Sequence, residues 1–179
     1  MRTAIIGGGP AGLLTSYYLA TNNCDTTVFE EHVMIGYPKH CTGLVTARSI
    51  AKIPIDTAEC IEKQFNTLII HGPSKKSIEI NTQTVAKINR VCFEEKIYSE
   101  ARKEGVDFRL GVRVEAKRTK ETLETLSLKN KFDFYIDARG FEAAIKHSDK
   151  VRQNKLIGIN IILHGRTRLD NDSIHVFFR

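Results

Sequence analysis

The sequence predicts an α/β protein built on a parallel sheet, and three observations predict it. The chain opens with an apolar run, Thr3-Ala4-Ile5-Ile6, that meets the cluster Gly7-Gly8-Gly9-Pro10-Ala11-Gly12. Apolar side chains at helical spacing follow over residues 13–21 (Leu13, Leu14, Tyr17, Tyr18, Leu19). A polar turn at Asn22-Asn23 then leads to a second strand-like run, Thr26-Thr27-Val28-Phe29, which ends at Glu30. Strand, tight turn, helix and strand in that order make one parallel βαβ unit.

The glycines carry more than fold. Gly7-x-Gly9-x-x-Gly12 has the spacing of a dinucleotide fingerprint, in the strand–turn–helix context that the fingerprint needs. Gly7 makes the tight turn, Gly9 leaves room for a pyrophosphate against bare backbone, and Gly12 lets the helix approach the strand. The pyrophosphate then faces the free N–H groups of the helix N-terminus. Glu30 stands at the end of the second strand, about 20 residues past the glycines, where a carboxylate grips a ribose diol. The expected fold is therefore Rossmann-like.

Composition narrows the class further. At 179 residues the chain is long enough for one domain with a real core. Its hydrophobic fraction of 41% and charged fraction of 27% are ordinary for a globular protein. No run of 18 apolar residues predicts a membrane-spanning helix. The N-terminus enters the first strand directly, leaving no room for a signal peptide. The expectation is a cytoplasmic protein, with peripheral membrane contact left open. The net charge of +6 is scattered. Its densest patches, 117–120 and 129–131, lack interleaved aromatics, so they read as solvated faces and nucleic acid is not an expected partner. Four cysteines, Cys24, Cys41, Cys60 and Cys92, form no CxxC pair and no Cys/His set with zinc spacing, so no metal site is expected.

The rest of the chain supplies further elements. Residues 31–45 read as a loop, with turn residues at Gly36, Pro38 and Gly43, placed where the chain leaves the carboxyl edge of the sheet. A short helix is predicted from about Thr46, ended by Pro54. Residues 65–88 read as three strands (Phe65–His71, Ser77–Ile80, Thr84–Ile88), an antiparallel insertion. Asn89 precedes a helix from Arg90 to Glu104, with Phe93, Ile97 and Ala101 on one face and Gly105 as its stop. Then come a strand at Val106–Leu110, a hairpin at Val114–Arg118 and Leu123–Leu128, and a strand at Phe132–Ala138. Leu156–His164 and Ser173–Phe178 read as strands joined through a polar turn at Leu169–Asp172. The domain reading is 1–150 for cofactor binding, with the insert at about 65–88, and a second part at 151–179.

Taken in order, these residues resemble a known family. The opening glycines with Glu30, the Gly36–Gly43 loop with its Cys41-Thr42-Gly43, Arg90 at a helix head, and Ile136-Asp137-Ala138-Arg139-Gly140 are similar to the FAD-dependent geranylgeranyl reductases. Those belong to the flavoproteins with the p-hydroxybenzoate hydroxylase fold. The resemblance implies that FAD is the cofactor. Ala11 and Gly12 would lie along its pyrophosphate, and Glu30 would hold the adenosine ribose. Cys41, Thr42 and Gly43 would line the flavin edge, with Cys41 the candidate catalytic residue. Arg90 would reach the ribityl or phosphate part, Val114 would meet the adenine through its main chain, and the Ala138–Gly140 turn would pack beside the cofactor. The implied reaction is hydride transfer from reduced flavin to C=C bonds of a polyprenyl lipid. Its electron donor would be NAD(P)H or a ferredoxin-like protein.

Two features depart from the family pattern. Ala138-Arg139-Gly140 stands where related flavoproteins often have Ala-Asp-Gly, which removes a carboxylate. The family's later segments would fall beyond Arg179, so the resemblance implies that 151–179 holds the first strands of a truncated substrate-binding domain, and a fragment, a short paralogue or one part of a split protein is expected. A flavin monooxygenase of the aromatic hydroxylase type shares the fold and stands as an alternative, as does a non-catalytic nucleotide-binding remnant.

Overall fold

The computed structural model of the chain describes all residues except 40, 75, 115–130, 141–157, 162–164 and 179, and describes 82 and 83 by backbone alone. The chain divides into two compact units, Met1–Lys39 with Val91–Ile157, and His40–Arg90 with Gly158–Arg179.

The first unit is built on a four-stranded parallel sheet. Its strands are β1 (Arg2–Ile6), β2 (Asp25–Glu30), β6 (Asp107–Leu110) and β7 (Phe134–Asp137), in the order β6-β2-β1-β7. β1 pairs in parallel with β2 on one side (Ile5↔Val28) and with β7 on the other (Ile5↔Ile136). β2 pairs in parallel with β6 (Val28↔Phe108). Ala4, Ile5 and Ile6 are all buried, so β1 shows a continuous apolar run instead of alternation, as expected where both faces of a parallel strand are covered. One side chain breaks the pattern. Thr3 is 1% exposed, and its Oγ1 has no hydrogen-bond partner among the described residues. An unpaired buried hydroxyl costs roughly 1–3 kcal/mol. Thr3→Val keeps the shape and removes the hydroxyl, so it is expected to raise the melting temperature by about 2–4 °C per kcal/mol recovered, read by thermal unfolding.

Two helices belong to this architecture. α1 spans Pro10–Thr21, and Pro10 at its start has the φ a helix needs without losing an intrahelical hydrogen bond. It ends at Asn22, and Asn23 takes a φ of 60°, a conformation Asn tolerates better than most residues. α3 spans Arg90–Lys103, with Phe93, Ile97 and Ala101 buried at the predicted spacing. Arg102 and Lys103 in its last turn suit the negative end of the helix dipole, and Gly105 stops it at φ 90°. One core cluster joins Ile5, Val28, Ala101 and Val106, and another joins Ala4, Ile6, Phe29 and Val114. Each large aliphatic side chain so buried contributes about 1.5–3 kcal/mol.

The second unit is a mixed sheet in the order β3-β5-β4-β8, from β3 (Leu44–Thr46), β4 (Ile61–His71), β5 (Ser77–Ile88) and β8 (Ser173–Phe177). α2 (Ala47–Ile50) follows β3, and the hydroxyl of its cap residue Thr46 accepts the Ser49 N–H at 3.2 Å. A 3₁₀ turn at Ala58–Cys60 leads into β4. β5 is antiparallel to β3 and β4, whereas β8 is parallel to β4 (Ile69↔His175).

The structure changes two sequence expectations. The predicted strands Ser77–Ile80 and Thr84–Ile88 are one continuous strand, β5: pairing with β4 runs through Thr67↔Asn81, shifts register, and resumes at Phe65↔Val85, so the intervening residues stay in the strand as an irregularity. The expected strand Leu156–His164 is not one over its described part, 158–161. β8 pairs with β4, so the strands read as an insertion and the C-terminal strand lie in one sheet. The hairpin expected at 114–128 lies, past Val114, outside the described residues.

Candidate functional site

The first group of predicted residues sits at the carboxyl ends of the parallel strands. This is where ligands bind in open α/β sheets. Gly7 follows β1 at a φ of 107°, in the left-handed half of conformational space that glycine enters without strain. Its N–H donates to the Phe29 carbonyl at 2.8 Å, tying the turn to β2. A Cβ on Gly7 would lie 2.6 Å from the Ala138 carbonyl oxygen. A Cβ on Gly12 would lie 1.9 Å from the Gly7 carbonyl oxygen, so the first turn of α1 sits directly on the glycine turn. Gly9 differs from both, since a Cβ there would meet nothing within 4 Å. Gly7 and Gly12 thus stand at close backbone approaches, and Gly9 borders open space.

The start of α1 is built for an anion. Gly9 is the cap residue and supplies no side-chain hydrogen bond, and no acid stands in the first turn. The first-turn N–H groups, those of Ala11 and Gly12 among them, precede the first intrahelical bond, Leu13 N–H to the Gly9 carbonyl at 2.9 Å. Ala11 is exposed and Gly12 is buried. Uncapped N–H groups, the positive end of the helix dipole and open space beside Gly9 fit a pyrophosphate.

Glu30 closes the other side. It is 9% exposed at the end of β2. Its Oε2 accepts the Gly8 N–H at 2.6 Å, while its Oε1 accepts the backbone N–H of His32 at 2.9 Å and approaches His32 Nδ1 at 2.5 Å. A Cβ on Gly8 would stand 3.0 Å from Glu30 Cβ and 3.1 Å from its Oε2, so a larger residue there would have to push the Glu30 side chain aside. Sequence reasoning passed over both Gly8 and His32. The signal for Gly8 was present in the uninterrupted Gly7-Gly8-Gly9 triplet.

Val114 is brought to the same unit, 5% exposed in the cluster with Ala4, Ile6 and Phe29. Its carbonyl accepts from Arg139 Nη1 at 3.0 Å. Arg139, the departure from the family pattern, also donates to Asp137: Nε meets Oδ1 at 2.8 Å and Nη2 meets Oδ2 at 2.5 Å. Two parallel donor–acceptor contacts hold the guanidinium in one plane. The Arg139 side chain is only 13% exposed. Where the sequence suggests a lost carboxylate, the structure shows a clamp that joins the end of β7 to the Val114 main chain.

The second group lies in the other unit. Gly43 takes a φ of 76°, and a Cβ there would sit 2.4 Å from the Ile88 carbonyl and 3.6 Å from Arg90 Cγ. The Gly43 carbonyl accepts the Ile88 N–H at 2.9 Å. Cys41 is an exposed free thiol whose Sγ accepts the Gly43 N–H at 3.4 Å. Thr42 is exposed and Arg90 half-buried. The structure thus brings Gly43 and Arg90 together, with Cys41 folded onto the Gly43 amide.

Comparison with known proteins points to the same Rossmann-like fold. Residues 5–37 match the family described as NAD(P)-binding Rossmann-like domain. The chain is 29% identical over 77 residues to digeranylgeranylglycerophospholipid reductase 2 of Methanopyrus kandleri, covering 42% of this chain and 19% of the relative. It is 27% identical over 88 residues to reductase 1 of the same organism, covering 49% of this chain and 24% of the relative. Among solved structures it is similar to a geranylgeranyl bacteriochlorophyll reductase-like protein of Thermoplasma acidophilum. That match has a TM-score of 0.54 at 24% identity, over 62% of this chain and 30% of the other. The matched stretches span under a third of each of these proteins. Over its N-terminal part, the chain is a Rossmann-like α/β protein homologous to digeranylgeranylglycerophospholipid reductases.

Proposed function

We propose that the chain binds FAD and serves a flavin-dependent oxidoreductase that saturates C=C bonds of polyprenyl lipid chains. One observation carries the reading: Glu30 is held on the Gly8 N–H at 2.6 Å, across a turn where Gly9 alone borders open space. The relatives are named as digeranylgeranylglycerophospholipid reductases, which supports the substrate class.

In this reading Gly7, Gly9, Ala11 and Gly12 receive the pyrophosphate, Glu30 receives the adenosine ribose, and the Val114 main chain faces the adenine. Roles for Cys41, Thr42 and Gly43 at the flavin edge, and for Arg90 at the ribityl or phosphate part, come from the family resemblance. The chemistry that FAD supplies when bound is hydride transfer to an alkene carbon. The exposed Cys41 thiol is the candidate group beside the reacting atoms. NAD(P)H or a ferredoxin-like protein is the proposed electron source, and a membrane surface is the proposed source of the lipid. No helix among the described residues is long and apolar enough to cross a membrane.

The test is a spectrum followed by a reaction. Purified protein is mixed with FAD and passed over a sizing column. A retained flavin band is expected, and its absence from folded protein overturns the cofactor. The loaded protein is then reduced anaerobically and given a geranylgeranyl lipid. A mass gain of two hydrogens per double bond supports the reductase reading. Oxygen consumption with an aromatic substrate, and no such gain, favours a monooxygenase.

A further inference from the structure

Glu30 does not hold its own orientation; His32 helps to hold it. A carboxylate only accepts hydrogen bonds, so the 2.5 Å contact between Glu30 Oε1 and His32 Nδ1 makes Nδ1 the protonated nitrogen. The same Oε1 accepts the His32 backbone N–H at 2.9 Å, and Oε2 accepts the Gly8 N–H at 2.6 Å. A carboxylate has about four acceptor positions. Three are taken within the protein, one on the glycine turn and two on His32. The plane of the carboxylate is therefore set by a glycine amide at one end and an imidazole at the other. Among the described residues, the acceptor position that stays open is on Oε2, the oxygen bonded to Gly8.

We propose that His32 is a positioning residue of the nucleotide site. It locks Glu30 with Oε2 toward the glycine turn, ready to accept a ribose hydroxyl. The inference rests on the proposed binding of an adenine dinucleotide at this turn. The group that matters is the donor at the δ position of residue 32. His32 is not needed for the core, since its side chain is 41% exposed. An asparagine places an N–H close to where Nδ1 stands, whereas a glutamine places it one atom too far.

The experiment compares wild type, His32→Asn, His32→Gln and His32→Ala. Affinity is measured for FAD and, as a second probe carrying the same adenosine ribose, for adenosine diphosphate. His32→Ala and His32→Gln are expected to weaken both by roughly tenfold, the loss of one charge-assisted hydrogen bond, with unchanged melting temperatures. His32→Asn is expected to recover wild-type affinity, which a merely structural role would not produce. Equal affinities across the series, or tighter binding by His32→Ala, overturns the proposal. Wild type that binds adenosine diphosphate but not FAD overturns the flavin reading alone, and failure to bind either overturns both. Imidazole nitrogen NMR of the nucleotide-free protein adds an arm independent of any ligand. A protonated Nδ1 on His32 is expected, and a neutral ring protonated only on Nε2 contradicts the proposal.

Discussion

Gly12→Ala is expected to abolish folding of the first unit. The added Cβ would stand 1.9 Å from the Gly7 carbonyl oxygen, well inside any real contact distance. No side-chain rotation relieves it, because both partners are backbone. Moving α1 away would separate Leu13 and Ser16, both fully buried, from the structure beneath them. Moving Gly7 would break its 2.8 Å bond to the Phe29 carbonyl. A cost on the order of 5 kcal/mol or more, against a whole-domain stability of about 5–15 kcal/mol, leaves little folded protein. Circular dichroism and thermal unfolding check this. A cooperatively folded Gly12→Ala protein with a near-normal melting temperature would contradict the described packing of α1 on the glycine turn.

Gly9→Val is expected to do the opposite: keep the fold and lose the cofactor. Gly9 has φ −76° and ψ −177°, an extended conformation that valine adopts readily. Its Cβ would meet nothing within 4 Å, so the protein itself has no reason to object. The added isopropyl group would occupy the space proposed for the pyrophosphate and cover the first-turn N–H groups. A loss of FAD affinity of about 100-fold or more is expected, equivalent to roughly 2.7 kcal/mol, with the melting temperature nearly unchanged. Titration of the variant beside wild type measures it. The pair of glycine substitutions separates what the motif does for the fold from what it does for a ligand, although the two residues stand only three positions apart.

What the sequence could show depended on how local the cause was. The glycine turn, α1, β2 and the buried face of α3 rest on spacing within one segment, and all were legible. Glu30 was legible because its distance from the glycines is a property of the βαβ unit. The pairing of β8 with β4 was not, since it joins Ile69 to His175 across more than a hundred residues with no periodic signal at either end. β5 looks like two strands in sequence because polar residues Asn81 to Gln83 interrupt its alternation, yet in the fold β4 pairs with both halves and a register shift between Thr67↔Asn81 and Phe65↔Val85 joins them. In the site, Arg139 looked like a missing acid. Only the fold shows that its guanidinium reaches both Asp137 and the Val114 carbonyl. His32 carries no motif, and its part follows from the bend after β2 that turns its ring back onto Glu30.

The central claim is that the turn from Gly7 to Gly12 receives FAD. The most direct measurement is a titration of the folded wild-type chain with FAD, followed by quenching of flavin fluorescence, with Gly9→Val as the control. Saturable binding near one FAD per chain, lost in Gly9→Val, is the predicted result. A wild-type chain that is folded by circular dichroism and leaves flavin fluorescence unchanged at saturating FAD would contradict the account.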